Sequence, residues 1–555
     1  MLRLLLFAFR LSARALHAQQ LDHVQIDELK YHVNYLADDS LEGRATASKG
    51  EQIASNYISR EYTSIGLQPY KGKDSYLQPF NYIEGRLVGK DNTLSINDIS
   101  FVLDTDFYPL AYSASGKVSG ACINVGFGIT APDLKHDDYR KRINYAGNIF
   151  LLNISTPSGV NPHGKFGNYL DLRPRIEKAI EKGATAVLLY AEEDSIADPE
   201  QLLNKNIYPV SVPVLFLKTH VWDELKQAGK FTASLSADVT PIEKTGHNVV
   251  GFLDNNAKTT VVVGAHYDHL GWGHEGSLYR GEKAIHNGAD DNASGVALII
   301  ELAEELKKSA LNNNNYLFVA FSGEEMGLFG SKKFVEQIGA DTKGINYMLN
   351  FDMVGRLNPN EKNLQVNGYG TSPAWKVLMN IPTDSILIKT SDSGIGPSDH
   401  TSFYLKDIPV LHFFTGAHED YHKPSDDAEF VNYAGIASVL DLTYSLIDSL
   451  DDAGKIQFTT VAADTNQPAP KFTVTLGVIP DYIFSDKGMR IDGVTDGKPA
   501  SKAGMQKGDV VIQMGAHKVS DMTTYMQALS KFKKGDTTTV IAVREGKEME
   551  FTVVF

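Results

Sequence analysis

TTVVVGAHYDHLG (259–271), HNGADDNASGVALIIELAEELKK (286–308) and NYLFVAFSGEE (315–325) each join an apolar run to acidic or histidine residues. Two later segments, YMLNFDMVG (347–355) and IPVLHFF (408–414), repeat the pattern. Continuous runs of Val, Ile, Leu and Phe are typical of buried parallel strands, because helices cover both of their faces. These segments therefore predict an α/β fold with a largely buried sheet.

Polar side chains lie where these apolar runs end. They are His266, Asp291, the pair Glu324 and Glu325, Asp352, and His422 in the loop after the last run. In open α/β sheets the ligand crevice lies just beyond the carboxyl ends of the strands. The side chains are therefore predicted to meet in one site.

Length and charge limit the classes of protein and partner. A chain of 555 residues is too long for one core, so about three or four domains are expected. The apolar content of 42% and charged content of 22% are ordinary for a globular protein. The net charge of −15 disfavours nucleic acids and anionic membranes as partners.

The N-terminal sequence MLRLLLFAFRLSARALHAQQ (1–20) is typical of a signal peptide, with cleavage after Ala15 or Ala18. Arg10 interrupts the apolar region, and a disordered leader is the alternative. No later run approaches the ~20 apolar residues that span a bilayer. Export to the periplasm or the extracellular space is predicted.

The single cysteine, Cys122, excludes an intrachain disulfide but does not fix the compartment.

Changes in hydrophobic pattern and composition divide the chain into segments. Helical periodicity marks the first part of the core, and short apolar runs around one helix mark an α/β insertion. A proline-bearing linker precedes a C-terminal domain of short strands. The predicted segments are a signal peptide (1–18), the first part of the core (19–116), the insertion (117–239), the catalytic core (240–455), the linker (456–470) and the C-terminal domain (471–555).

Two short motifs suggest metal chemistry, each with a structural alternative. His266 and Asp268 form an H-x-D pair, in which a carboxylate can accept the second N–H of a ligating imidazole. Asp268 either supplies that carboxylate or braces the loop backbone. Asp290 and Asp291 stand where a helix begins, so capping is their simpler explanation. A single carboxylate there could also bridge two cations.

The adjacent acids Glu324 and Glu325 follow a buried strand, where they repel each other unless a cation neutralises them. The repulsion is relieved if one carboxylate ligates metal while the other stays free as a general base. A solvated pair at a helix start is the structural alternative. Histidine and carboxylate ligands without thiolates suit zinc, with cobalt or manganese as substitutes. Two cations can activate one water and polarise a carbonyl, so the pattern predicts a dinuclear hydrolase.

The motifs AHYDHLG, GADDNASG, FSGEE, NFDMVG and YHKPSDD resemble those of the M28 zinc peptidases, an aminopeptidase family, in the same order over about two hundred residues. The resemblance implies a three-layer core with a mixed sheet. It also implies two Zn²⁺ ions per chain. His266 and Asp352 would bind one ion, Glu325 and His422 the other, and Asp291 both. Glu324 would be the base that activates the bridging water, and Asp268 the partner of His266.

Other segments resemble accessory modules. SLEGRATASKG (40–50) is similar to the first helical region of the family, although a plain connector is its default interpretation. The insertion at 117–239 resembles a protease-associated domain. The C-terminal domain, with LGV (476–478), resembles a PDZ domain, which implies a C-terminal peptide as a ligand.

The resemblance implies an exported zinc aminopeptidase acting on peptides with a free N-terminus. A carboxypeptidase or dipeptidase on the same scaffold, or a non-catalytic peptide-binding scaffold, are the alternatives. Arg356 either reads a substrate carboxylate or forms a structural ion pair. Further residues near the motifs either contact the ligands or substrate, or simply pack; they are His269, His286, Asp399, His400 and Asp426.

Overall fold

The computed structural model describes residues 26–139, 145–161, 164–201, 203, 209–227, 229–273, 276–383, 385–461, 474–480, 487–494, 497–519, 522–533 and 535–555. The predicted signal peptide (1–18) and most of the predicted linker (456–470) lie outside these residues. Within those ranges, no helix is both long and apolar enough to cross a bilayer.

The α-helices run over 26–36 (α1), Lys49–Ile65 (α2), Leu172–Glu181 (α3), Thr219–Leu225 (α4), Gly295–Lys308 (α5), Phe329–Ile338 (α6), His400–Tyr404 (α7), Tyr433–Leu450 (α8), Pro499–Lys502 (α9) and Met522–Leu529 (α10). The strands run over Gln68–Pro69 (β1), Leu77–Val88 (β2), Thr93–Ile96 (β3), Ile99–Phe101 (β4), Phe107–Pro109 (β5), Gly116–Asn124 (β6), Thr130–Ala131 (β7), His136–Asp137 (β8), Ile149–Asn153 (β9), Ala186–Tyr190 (β10), Val214–Leu217 (β11), Thr232–Ala237 (β12), Val239–Leu253 (β13), Thr260–His266 (β14), Asn315–Phe321 (β15), Ile345–Phe351 (β16), Asn363–Asn367 (β17), Leu387–Ser391 (β18), Val410–Phe414 (β19), Val478–Pro480 (β20), Met489–Val494 (β21), Val510–Met514 (β22), His517–Lys518 (β23), Thr537–Arg544 (β24) and Lys547–Val554 (β25).

The described chain divides into two compact units. One contains the residues up to Phe80 together with Thr245–Phe532 and Thr537–Phe555, and the other contains Asn81–Lys244 with Lys533–Asp536. The predicted insertion at 117–239 falls inside the second range.

A nine-stranded mixed sheet forms the centre of the first unit, with the order β1-β13-β15-β14-β16-β19-β17-β18, and β2 pairs with β13. Strands β15, β14, β16 and β19 are mutually parallel, whereas β13 runs antiparallel to β15 and β17 runs antiparallel to β19. The carboxyl ends of the four parallel strands therefore lie at one edge. The prediction of an α/β core with a mixed sheet is confirmed.

Helices cover both faces of this sheet. Successive residues of each central strand point to opposite faces, so each strand contributes side chains to the hydrophobic core on both sides. Val261 and Val263 of β14 pack in one hydrophobic cluster with Leu298 of α5. Val262, between them, packs in another cluster with Phe334 of α6. The continuous apolar run of β14 is thus explained by burial on both faces, in a three-layer arrangement.

The second unit has its own eight-stranded sheet, with the order β4-β3-β12-β6-β9-β10-β11-β5. Strands β6, β9, β10 and β11 are parallel, and α3 is the helix expected from the sequence of this region. Its hydrophobic core is formed by strand residues such as Leu151, Leu188 and Leu215.

The C-terminal region is rich in strands, as predicted. Strands β20 to β25 form a six-stranded sheet in which β22 pairs with β21, β23 and β24. Its described core residues include Leu476, Val511, Val540 and Val553, which form a hydrophobic cluster with α9 and α10.

Candidate metal centre

The ends of three parallel strands bring the predicted site residues to one edge of the sheet. Strand β14 ends at His266, and β16 ends at Phe351, immediately before Asp352. Strand β15 lies beside β14 and ends at Phe321, three residues before Glu324. Because the strands run in the same direction, their carboxyl ends open into one crevice.

The first cluster consists of His266, Asp291 and Asp352. His266 Nε2 lies 3.2 Å from Oδ1 of Asp291 and 3.3 Å from Oδ1 of Asp352. Asp291 comes from the segment Ala289–Ser294, which leads directly into α5. His266 and Asp291 are buried, and Asp352 is partly buried.

The second cluster uses the other oxygen of the same aspartate. His422 Nε2 lies 3.2 Å from Oδ2 of Asp291 and 3.2 Å from Oε2 of Glu325. His422 comes from the loop after β19, and its Nδ1 is 3.0 Å from the carbonyl oxygen of Gly276. The two carboxylate oxygens of Asp291 therefore face two different imidazoles.

These donor atoms fit divalent cations. Ligand atoms of His266, Asp291 and Asp352 all lie within 4.8 Å of one another, and so do those of His269, Asp291 and Glu325. Carboxylates gathered in a buried place repel one another unless a positive charge is present. Imidazole nitrogens and carboxylate oxygens are zinc ligands, so the structure brings together every ligand predicted from the sequence in an arrangement suited to zinc.

Glu324 belongs to neither cluster, although it precedes Glu325. Burial and the nearby Asp352 carboxylate raise the pKa of Glu324 well above its usual value. Its backbone N–H donates a hydrogen bond of 3.2 Å to Oδ1 of Asp268. Of the two adjacent glutamates, Glu325 therefore lies in a group of candidate ligands and Glu324 lies outside it.

Asp268 is completely buried and contacts Thr46, Glu324 and His266. Its Oδ2 accepts a hydrogen bond of 3.0 Å from the Thr46 hydroxyl, and its Oδ1 accepts from the Glu324 amide. His266 Nδ1 is 3.1 Å from the backbone oxygen of Asp268 and 3.7 Å from its carboxylate. The backbone carbonyl is thus the nearer partner of the imidazole. Burial raises the pKa of Asp268 to about 7.

Two residues whose roles the sequence left open lie at the clusters, and one of them, His269, itself offers a ligand atom. His269 Nδ1 lies 2.7 Å from Oε1 of Glu325. Asp426 is buried, and its Oδ2 accepts hydrogen bonds of 3.0 Å from the backbone N–H groups of both Asp290 and Asp291. These contacts orient the carboxylate of Glu325 and the backbone that carries Asp291.

Three other residues left open by the sequence lie outside both clusters. His286 Nε2 is 2.8 Å from the Ser277 hydroxyl. His400 stacks on His412 with ring centroids 4.5 Å apart. Asp399 is completely buried, and burial raises its pKa to about 6.

A second layer of contacts lies next to Asp291. His418 Nε2 lies 3.1 Å from Oδ2 of the buried Asp290. A guanidinium nitrogen of Arg356 lies 2.9 Å from Asp420 and 3.6 Å from Asp426. Arg356 therefore forms ion pairs within the protein. The pairing partners are distant in sequence, so no local pattern indicates them.

Comparison with known families agrees with this geometry. Residues 248–447, which carry all the residues of both clusters, match the family model described as peptidase family M28. Residues 248–447 form a family M28 peptidase domain. Residues 466–554 match the PDZ domain model, so the C-terminal domain predicted from the sequence is a PDZ domain.

Relatives of this chain include named aminopeptidases. It is 27% identical over 289 residues to aminopeptidase YwaD of Bacillus subtilis, covering 49% of this chain and 58% of the relative. It is 25% identical to the probable lipoprotein aminopeptidase LpqL of Mycobacterium tuberculosis, covering 74% and 77%. The match thus spans little more than half of the Bacillus relative.

Similar solved structures include the aminopeptidase from Aneurinibacillus sp. strain AM-1, with a TM-score of 0.43 and 22% identity over 80% of this chain and 96% of that one. The zinc aminopeptidase BSAP from Bacillus subtilis has a TM-score of 0.42 and 22% identity, covering 78% of this chain and 98% of that one.

Proposed function

We propose that this protein is an exported, dinuclear zinc aminopeptidase that removes N-terminal amino acids from peptides. The observation that carries the proposal is the position of Asp291. Its two carboxylate oxygens each lie 3.2 Å from a different imidazole, those of His266 and His422. This arrangement suits a carboxylate that bridges two cations, with Asp352 completing one set and Glu325 the other.

The residues of the chain divide the remaining work. When bound, paired zinc ions lower the pKa of water toward ~7 and polarise the scissile carbonyl. Glu324 takes a proton from the attacking water and later delivers it to the leaving amine. Asp268 holds the Glu324 backbone through its amide at 3.2 Å, which positions this base beside the clusters.

The partners that the chain offers bear on which end of a peptide is recognised. The free α-amine of the substrate would lie beside a metal ion or a carboxylate of the clusters. A carboxypeptidase would need a cation for the substrate carboxylate. Arg356, the candidate for that role, is engaged by Asp420 and Asp426.

Export and the accessory domains complete the proposal. The N-terminal sequence is typical of a signal peptide, and one relative is named a probable lipoprotein aminopeptidase. We assign the PDZ domain to a C-terminal peptide ligand and the 117–239 region to a protease-associated-like module.

Substrate choice tests which peptide end is recognised. Purified protein should hydrolyse an aminoacyl-p-nitroanilide and leave an N-blocked peptide with a free C-terminus intact. A chelator should stop hydrolysis, and added zinc should restore it. Cleavage of the N-blocked peptide alone would instead indicate a carboxypeptidase, and absence of any hydrolysis in zinc-loaded protein would indicate a non-catalytic scaffold.

A further inference from the structure

The segment 40–50, which the sequence suggests is a plain connector, contains a buried cation. Arg44 has no exposed surface. Its guanidinium donates hydrogen bonds to four backbone carbonyls: Tyr267 at 2.8 Å, Asn287 at 2.7 Å, Gly288 at 3.0 Å, and Leu36. These carbonyls come from the end of α1, the loop after β14 and the loop before α5.

The loop after β14 and the loop before α5 also carry residues of the metal clusters. Tyr267 lies between His266 and Asp268 in the chain, and Gly288 lies three residues before Asp291. Arg44 therefore connects the backbone next to a ligand of the first cluster with the backbone that leads to the shared aspartate. Because guanidinium donors have a fixed planar geometry, they fix the relative positions of the carbonyls they bind.

Backbone contacts place the same segment against these loops. The amide of Gly271 donates to the carbonyl of Gly43 at 3.0 Å. A Cβ at Gly43 would come within 2.4 Å of the carbonyl oxygen of His286 and 2.6 Å of that of Gly271. Gly43 also has a φ of +70°, so a side chain there would be both strained and obstructed.

The charge of Arg44 complements the acidic centre without a direct ion pair to it. Burial lowers the pKa of Arg44 to about 10, and the carboxylates of Asp268, Asp291, Asp426 and Glu325 oppose that effect. The guanidinium thus provides a permanent positive charge behind a site that gathers negative ones.

We propose that Arg44 is a positioning residue of the metal centre, holding the His266 loop and the Asp291 loop at the separation that zinc binding requires. This inference rests on the proposed function. Residues that orient metal ligands without touching the metal commonly contribute about 10–100-fold to metal affinity. Arg44 acts through two backbone segments at once, so its effect on zinc affinity should fall in that range.

The chain offers a matched control in its other compact unit. Arg175 of α3 is also buried, and its guanidinium donates to the backbone carbonyls of Phe127, Ile154 and Asn153. Burial lowers its pKa to about 10 as well. Arg175 therefore provides the same kind of buried backbone clamp, and the carbonyls that it binds belong to its own compact unit.

The test compares Arg44→Lys with Arg175→Lys in the full chain stripped of metal. Lysine keeps the positive charge but lacks the planar fork, so it cannot bind the same carbonyls together. Zinc affinity is measured by competition with a chromophoric chelator. We expect Arg44→Lys to bind zinc about 10–100-fold more weakly than the wild type. Arg175→Lys should lower the melting temperature and leave zinc affinity unchanged.

Equal zinc affinity in Arg44→Lys and the wild type would overturn the inference, and so would an equal loss in both lysine variants. Should Arg44→Lys not fold, Arg44→Gln is measured in its place and judged by the same outcomes. If wild-type protein binds zinc and hydrolyses aminoacyl substrates while Arg44→Lys binds zinc normally, only this inference fails. If the wild type binds no zinc, the proposed function fails with it.

Discussion

At the scale of single residues, the central feature is the different environments of two adjacent glutamates. Glu325 faces His422 and His269, at 3.2 Å and 2.7 Å. Glu324 lies outside both clusters, and its pKa is raised mainly by burial. The sequence motif indicates that the two carboxylates differ, and the structure supplies the surroundings that make them differ.

Replacing Glu324 with glutamine should separate catalysis from metal binding. Glutamine keeps the shape of the side chain but cannot accept a proton. We expect kcat to fall by about a hundredfold to ten-thousandfold, the usual contribution of general acid–base catalysis, with unchanged zinc content. Steady-state kinetics and metal analysis of the same preparation measure both quantities.

The control for this variant is Glu336→Gln, which removes an exposed carboxylate that pairs with Lys333 on α6. It should match the wild type in kcat and zinc content. Near-normal turnover in Glu324→Gln would remove Glu324 from the role of base.

At the scale of secondary-structure elements, local sequence patterns predicted the central strands, whereas features that depend on long-range contacts could not be predicted. The apolar runs identified β14, β15, β16 and β19, since burial on both faces leaves a continuous hydrophobic signature. Gly66 directly follows the last residue of α2 with a φ of +83°, a conformation that glycine adopts readily. The role of segment 40–50 could not be predicted, because Arg44 finds acceptors more than 200 positions away at Tyr267 and Asn287.

The start of α2 provides a test of element stability. Ser48 accepts a hydrogen bond from the Glu51 amide at 3.2 Å, and Glu51 accepts one from the Ala47 amide at 3.0 Å. Removing the cap with Ser48→Ala should lower the free energy of unfolding by about 0.5–2 kcal/mol. Chemical denaturation measures this change.

The matched control is Ser64→Ala, at an exposed position near the end of the same helix. It should change the free energy of unfolding by less than about 0.5 kcal/mol. An equal effect of the two substitutions would show that the hydroxyl of Ser48 does not stabilise the helix.

Because Glu51 also accepts a hydrogen bond of 2.7 Å from Ser322, the cap is connected to the strand end that leads to Glu324.

At the scale of the whole molecule, the M28 domain combines a sheet edge with loops from distant parts of the chain. The residues of the clusters lie between His266 and His422 in the chain. The segment 40–50 reaches the same loops, because Arg44 donates a hydrogen bond to the carbonyl of Tyr267. The second compact unit and the PDZ domain have hydrophobic clusters of their own. The residues proposed to carry the chemistry all lie in the M28 domain, and the PDZ domain is proposed to bind a C-terminal peptide.

Metal content measured together with activity tests the central claim most directly. Active, purified full-length protein is subjected to elemental analysis before and after chelation, and hydrolysis of an aminoacyl-p-nitroanilide is measured on the same samples. We expect two zinc ions per chain, with activity lost on chelation and restored by zinc. Full activity in protein that contains no transition metal, or that contains a single ion per chain, would contradict the proposed dinuclear zinc site.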